Sequence, residues 1–222
     1  MKKTIVVAGA AGEGINTVES FIEKILKQHG YEIFSYKNYM SRVRGGYNYS
    51  TIVVSDEVVF ATVESADIFI ALNKEAYEHS SSQMSNDGLL IAPEAYLTES
   101  EMKKVITYNK EALLAHTKSK NAYSMAAVGS VLNMFGIERE SLEKVRNTKW
   151  PEDVNIENVK AAEFGFDASS KLHTPPEKKE SRMLIGGNQA VALGALAAGI
   201  SFYCAYPMAP STGVMTFLAT YE

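Results

Sequence analysis

Hydrophobic positions near the start of the chain switch between short continuous runs and a helical period. TIVVA at 4–8 is a β-branched run of the kind that fills a buried parallel strand. Beyond the turn GAAGEG at 9–14, Val18, Phe21, Ile22, Ile25 and Leu26 recur at helical spacing, and the pattern closes on Gly30. YEIFSY at 31–36 then predicts a second strand. The chain therefore opens as a β–turn–α–β unit, which favours an α/β sheet with a right-handed crossover.

The same reading carries down the chain. KNYMSRVRGGY at 37–47 is a loop rich in base and glycine, and NYSTIVVSDEVVFA at 48–61 predicts two strands about the turn Ser55–Asp56–Glu57. ADIFIALN at 66–73 predicts a buried strand, Lys74 to about Met84 a helix, and GLLIAPE at 88–94 a strand after the turn Asn86–Asp87–Gly88. Helices follow at about 121–135 and 138–147, Trp150–Pro151 breaks the pattern, and 156–164 forms one further short helix. Composition then changes. FDASSKLHTPPEKKESRM at 166–183 is polar, holds Pro175–Pro176 and lacks an apolar period, as an interdomain linker does. MLIGGNQAVALGALAAG at 183–199 is apolar on every side after Asn188 and Gln189, the mark of a helix buried in a substantial domain. Residues 183–222 are too few to surround such a helix, so the second domain is expected to be incomplete within this chain. FYCAYP at 202–207 closes the pattern as an aromatic-rich strand.

Composition narrows the chemistry. The 222 residues suffice for one well-packed domain and part of another, with 46% hydrophobic and 22% charged residues, ordinary for a globular protein. The net charge of −4, from 22 basic and 26 acidic residues, exerts no global pull toward nucleic acid or an anionic membrane. Anion binding must come from a local cluster. The single cysteine, Cys204, excludes a disulfide framework, a zinc finger or a cysteine-ligated iron–sulfur cluster within this chain. IVVAGA is too short for a secretory core and no apolar stretch spans a membrane, so a cytoplasmic location is expected.

Four stretches are candidates for chemistry. In GAAGEG, glycines at 9, 12 and 14 follow a strand and open a helix; this suits either a tight turn or contact between backbone amides and a phosphate. The dinucleotide spacing G-x-G-x-x-G is not met, and Tyr36 and Lys37 stand where an acidic residue would hold a ribose diol. NAD binding is thereby disfavoured, whereas Lys37 suits a phosphate. In SRVRGG at 41–46, Arg42 and Arg44 flank Val43 and point the same way in an extended loop; they form either an anion clasp beside glycine amides or a solvated, subunit-facing loop. NAYSMAAVG at 121–129 is a helix of small residues that suits close packing. In YPMAPST at 206–212, Pro210 suits the first position of a helix with Ala209 as an unusual N-cap. That turn is either structural or a helix start where Tyr206, Ser211 and Thr212 receive an anionic or polar ligand.

Taken in this order, the stretches resemble the 2-oxoacid:ferredoxin oxidoreductase family, in the form where the gamma domain is fused ahead of the alpha domain. GAAGEG stands where the family carries a turn like G-x-G-G-Q-G, with Ala11 and Glu13 departing; SRVRGG matches its SRxRGG loop, and NAYSMAAVG its N-x-x-x-x-A-L-G helix. GNQAVALGA and YPMAPS match the alpha-domain opening G-N-E-A-x-A-x-G-A and Y-P-I-T-P-S, with Ala209 in place of the family's threonine. The resemblance implies a Rossmann-like α/β gamma domain over 1–165, a linker over 166–182, and at 183–222 the incomplete start of a thiamine-diphosphate-binding, pyrimidine-type α/β domain. It also implies an enzyme complex that decarboxylates a 2-oxoacid, foremost 2-oxoglutarate, forms an acyl-CoA and reduces ferredoxin. Thiamine diphosphate, Mg²⁺ and [4Fe-4S] clusters would lie mainly on a thiamine-binding beta subunit in an oligomer. Gly9, Gly12, Gly14, Lys37, Ser41, Arg42, Arg44, Gly45 and Gly46 are then the coenzyme A side, and Tyr206, Ser211 and Thr212 the substrate or cofactor side. The family's activating glutamate falls beyond Glu222, so this chain alone is expected to be inactive, with no cofactor tightly bound. The alternative is a free-standing nucleotide- or coenzyme A-binding module without catalysis.

Overall fold

The computed structural model describes residues 1–40, 45–61, 63–97, 104–177 and 182–221. They form two compact units, Met1–Glu180 and Ser181–Glu222. In the first, β1 (Lys2–Ala11), α1 (Ile15–Gln28), β2 (Glu32–Asn38), β3 (Gly45–Ser55), β4 (Ala66–Ala71), α2 (Lys74–Gln83), β5 (Met84–Ile91), β6 (Val105–Ile106), α3 (Lys110–His116), α4 (Ala122–Met134) and α5 (Glu152–Asp167) follow one another. The sheet order is β2-β3-β1-β4-β5-β6.

The central strands are hydrophobic throughout because both faces of the sheet are covered. Alternate residues of β1 divide between two cores: Ile5 and Val7 pack with α1, α4 and α5, while Val6 and Ala8 pack with Ala76 of α2. In β4, Ile68 and Ile70 go to the first core and Phe69 and Ala71 to the second, as a period of two requires. The larger core takes the apolar stripe of α1, in which Val18, Ile22, Ile25 and Leu26 are fully buried. Each such side chain contributes about 1.5–3 kcal/mol of transfer free energy.

Departures from the sequence expectation have local causes. β1, β4, β5 and β6 are parallel, but β3 is antiparallel to both β1 and β2 and lies between them. The expected strand pair within 48–61 is therefore one strand ending at Ser55. There the chain is tied off by the Met1 ammonium on Asp56 (2.5 Å) and the Ser55 hydroxyl on the Met1 carbonyl (3.0 Å), and Phe60 beyond is 84% exposed. The expected turn Asn86–Asp87–Gly88 is an irregularity inside β5, between the pairs Ala66↔Met84 and Ile68↔Leu89. β6 and α3 lack enough apolar period to be foreseen. The helix expected at 138–147 is a 3-10 turn, Arg139–Lys144, in which Leu142 alone is buried. Instead of 156–164, α5 spans sixteen residues, opened by Pro151, Glu152 and Asp153, which suit a helix N-terminus.

α4 and α5 cross with almost nothing between them. A Cβ on Gly129 would lie 2.6 Å from the Ala162 carbonyl carbon, and one on Gly165 2.7 Å from the Ala126 Cα. The start of the expected linker is also part of this unit. Asn133 Nδ2 donates to the carbonyls of Phe166 and Ser169 (both 2.9 Å), and the amides of Leu172 and His173 donate to the Met134 carbonyl (2.9 and 2.8 Å). The amides of Leu172 and His173 thus supply donors that the open carbonyl end of α4 needs.

The second unit comprises α6 (Gly187–Ala197), α7 (Ser211–Leu218) and a 3-10 turn, Ala219–Tyr221. The segment expected as an aromatic strand, 202–206, has no strand partner among the described residues. Of α6 only Ala192 is buried; Val191 is 61% exposed, and Phe202 and Tyr206 about as openly displayed at 82% and 79%. The helix expected to be enclosed on every side presents its apolar side chains to solvent in this chain.

Candidate functional site

The parallel strands carry their carboxyl ends to one edge of the sheet, where open α/β sheets receive ligands. β1 arrives there as GAAGEG. Gly9 and the two alanines still belong to the strand, so the turn proper is Gly12–Gly14, whose glycines adopt φ of 97° and 91°. Gly9 is needed for close approach, since a Cβ there would come 2.9 Å from Glu13 Oε2. That oxygen accepts from the Ala10 amide (2.7 Å) and from Asn73 Nδ2 (2.7 Å). Asn73 is in turn the N-cap of α2, its Oδ1 accepting from the Ala76 amide at 2.8 Å. Ser124, in the first turn of α4, donates to the Glu13 carbonyl at 3.4 Å. The small-residue helix NAYSMAAVG is thus packed against the glycine turn at its start and against α5 along its length.

Antiparallel pairing brings the second motif to the first. The register Gly9↔Asn48 and Ala11↔Gly45 places the end of SRVRGG beside the turn. Gly46 has φ of 75°. Ser41, Arg42 and Arg44 lie outside the described residues. Buried Asn48 staples the two sides of the loop, its Oδ1 accepting from the Met40 amide (2.8 Å) and its Nδ2 donating to the Gly46 carbonyl (3.2 Å).

Lys37, near the end of β2, is balanced within the protein. Its ammonium lies 2.8 Å from Glu19 Oε2 and 3.2 Å from Asn16 Oδ1, and Tyr39 donates to the same Asn16 oxygen at 3.1 Å. Glu19 is 1% exposed and accepts from the Ser50 hydroxyl at 2.6 Å. Burial alone would lower the Lys37 ammonium, but the hydrogen bond and charge of Glu19 hold it above its ordinary value. Glu23, one helical turn on, is raised mainly by burial, against a lowering hydrogen bond from Ser35.

Farther along the edge, past Leu72, lies a cleft of about 800 Å³ between Pro93, Tyr96, Leu113 and Tyr123. Tyr108 forms part of its wall and shares a 2.6 Å hydrogen bond with Ser130. Burial pushes both the Tyr108 and Tyr123 phenols well above their usual range.

In the second unit the motif GNQ meets the residue that follows YPMAPST. Gly213 is in contact with Asn188, and a Cβ there would stand 3.0 Å from the Asn188 Cγ. Gln189 Oε1 accepts from the Gly186 amide at 3.1 Å. The Ser211 hydroxyl serves the loop itself, bonding to the carbonyls of Tyr206 and Met208 (both 2.6 Å), and the Thr212 amide donates to Met208 at 3.3 Å. Pro210, not Ala209, is the N-cap of α7. Among the described residues there is no group of three or more His, Cys, Asp or Glu placed to hold a metal ion, and no helix is long and apolar enough to cross a membrane. With one cysteine, the chain cannot by itself hold a cysteine-ligated iron–sulfur cluster.

Sequence reading missed Glu13's link to Asn73, the pair Glu19 and Ser50, and Asn48. The available signals were weak: a glutamate placed three residues into an otherwise apolar helix face, and an asparagine two residues past a double glycine.

A mixed sheet with a glycine turn and helix start at the carboxyl edge of its parallel strands defines a Rossmann-like α/β domain. The family is more specific. Residues 4–168 match the model of pyruvate ferredoxin/flavodoxin oxidoreductases, and the chain belongs to that family. It is 21% identical over 274 aligned residues to the 2-oxoacid:ferredoxin oxidoreductase subunit alpha of a Sulfolobus species, covering 100% of this chain and 43% of that one. The 2-oxoglutarate synthase subunit KorC of Methanocaldococcus jannaschii is 24% identical over 182 residues, or 78% of this chain and 96% of the relative. Among solved structures, a 2-oxoglutarate:ferredoxin oxidoreductase from Magnetococcus marinus, with 2-oxoglutarate, coenzyme A and succinyl-CoA bound, superposes with a TM-score of 0.83. That match has 26% identity and covers 99% of this chain and 41% of the other. The gamma subunit of a keto/oxoacid ferredoxin oxidoreductase from Geobacter sulfurreducens shares the fold at 21% identity and a TM-score of 0.61 over 76% of this chain. The chain spans 43% of the length of the alpha subunits it matches.

Proposed function

We propose that this chain is the gamma-domain part, with the beginning of the alpha domain, of a 2-oxoacid:ferredoxin oxidoreductase whose substrate is 2-oxoglutarate. The assembled enzyme oxidatively decarboxylates the 2-oxoacid, forms the acyl-CoA and passes electrons to ferredoxin. The observation that carries this reading is the match to the Magnetococcus marinus enzyme over 99% of the chain, which takes in both units and both motif sets. The KorC relatives favour 2-oxoglutarate among 2-oxoacids.

The coenzyme A side is formed by the loop SRVRGG, in which Arg42 and Arg44 bind phosphate oxygens and the amides of Gly45 and Gly46 admit the backbone closely, with the glycine turn 9–14 as its floor. Lys37 supports this region through Glu19 and Asn16. Tyr206, Ser211 and Thr212 stand on the substrate side, and Ser211, held by two loop carbonyls, fixes the turn. Thiamine diphosphate, when bound in the complex, supplies the electron sink that stabilises the carbanion left by CO₂. Its Mg²⁺ and the iron–sulfur clusters are assigned to a thiamine-binding partner, a division that the single cysteine of this chain agrees with for the clusters.

The reading is tested with Arg42→Ala combined with Arg44→Ala in the assembled enzyme. Loss of two charge-assisted contacts is expected to raise the KM for coenzyme A at least about tenfold while leaving the KM for the 2-oxoacid near its starting value. An unchanged KM for coenzyme A overturns the assignment of the loop.

A further inference from the structure

We propose that the chain pairs with a second copy of itself through the segment that follows β3, with Phe60 as the anchor. Among the described residues Phe60 is the most openly displayed large apolar side chain, at 84%, and Val58 and Val63 near it are exposed as well. An isolated apolar residue on a surface is ordinary, but these fall within one short stretch, and a cluster of that kind marks a contact surface. It lies at the amino end of β1. Lys2 pairs with Ser55 there, whereas Ala11 pairs with Gly45 at the other end, where the glycine turn stands. The proposal is therefore independent of the coenzyme A assignment.

What adjoins Phe60 identifies the occupant. A cavity of about 490 Å³ opens beside it, lined by Met1, Lys2, Ser55, Glu57, Val59 and Ala61 among others. That volume accommodates a phenylalanine side chain. A projecting anchor next to a hollow on one surface is what a two-fold axis requires, because the same patch must supply both to each copy. The charges agree with this. Lys2 and Glu57 are both exposed and line the same cavity, so the axis sets each sign against its opposite in the other copy. An anionic lipid surface is a poorer occupant, since Asp56, Glu57 and Glu64 flank the apolar run.

The test is sedimentation of the 222-residue chain as native protein and as Phe60→Ser, Lys2→Glu, Glu57→Lys and the double charge reversal, with Phe202→Ser of the second unit as a control. The exposure of Phe60 leaves the fold little dependent on it, which a thermal melt of the variant checks. The native chain is expected to be a dimer at about 50 μM, and Phe60→Ser to weaken association at least about tenfold. Each charge reversal alone should weaken it, and the two together should return it to within about threefold of native, because the pairs re-form with their signs exchanged. Phe202→Ser should leave the dimer unchanged. A native chain monomeric at that concentration, a Phe60→Ser variant that associates as the native chain does, a double reversal no tighter than the single ones, or a dimer lost on Phe202→Ser overturns the proposal.

Discussion

Replacing Gly129 by alanine sets two principles against each other. Helix propensity alone says that alanine in the interior of α4 should stabilise the protein by about 1 kcal/mol. The structure says the reverse. The new Cβ would lie 2.6 Å from the Ala162 carbonyl carbon and nearer still to its oxygen, whereas ordinary contact begins at 3.4 Å. The helices must part by at least the difference, 3.4 − 2.6 = 0.8 Å, and a gap of that size forfeits about a quarter to a half of each dispersion contact along the crossing. Overpacking of this kind costs about 1–3 kcal/mol, toward the upper end where the obstacle is backbone, so after the gain of about 1 kcal/mol in propensity the net effect is a loss of about 1–2 kcal/mol. In a thermal melt that corresponds to a Tm lower by roughly 5 °C. Ala162→Gly should not restore it, because the obstacle is the main-chain carbonyl, which glycine keeps. A Gly129→Ala protein as stable as the native one, or a full rescue by Ala162→Gly, would show that the Ala162 carbonyl does not obstruct a side chain at this crossing.

Three further outcomes follow from the charged groups. The Glu157 carboxyl is held at about 2, first by the Lys118 amide and then by Lys160 and Thr117, against an ordinary 4.5. Its folded value is depressed, so its stabilisation is complete above about pH 4.5 and fades as pH falls toward 2; in melts against pH, Glu157→Gln should be less stable than native at pH 6 and equal to it near pH 2. Lys37→Met leaves the buried Glu19 carboxylate without its cation and should cost about 1–3 kcal/mol at neutral pH by urea denaturation; no loss would show the pair to be energetically idle. Asn48→Ala removes the staple between Met40 and Gly46 and should speed proteolysis of the 40–46 loop while shifting the Tm by only a few degrees.

Much of the first unit was legible because its core strands and α1 follow single, strong periods. Ile5–Val7 and Ile68–Ile70 are apolar on both faces, and the stripe Val18 to Leu26 allows no other helix face to be buried. What escaped is what depends on partners distant in sequence. β3 is antiparallel to its neighbour β2 because the six residues between them are too few for a parallel crossover, and nothing in NYSTIVVS announces that it inserts between β2 and β1. α5 runs through Gly165 because Ala126 leaves room for no side chain there, a demand from another helix. At the site, SRVRGG and GAAGEG were recognisable separately, yet only the pairing Ala11↔Gly45 shows that they adjoin. Glu13 read as a departure from a motif; its two donors, three and sixty residues away, give it a role.

The proposed function makes this chain part of an enzyme that couples 2-oxoacid oxidation to ferredoxin. It is tested most directly by purifying the chain with its natural partners and following ferredoxin reduction spectrophotometrically with 2-oxoglutarate and coenzyme A. Reduction that requires both compounds and yields succinyl-CoA is the predicted result. A purified assembly that reduces no ferredoxin with any 2-oxoacid, with thiamine diphosphate and coenzyme A supplied, would contradict it.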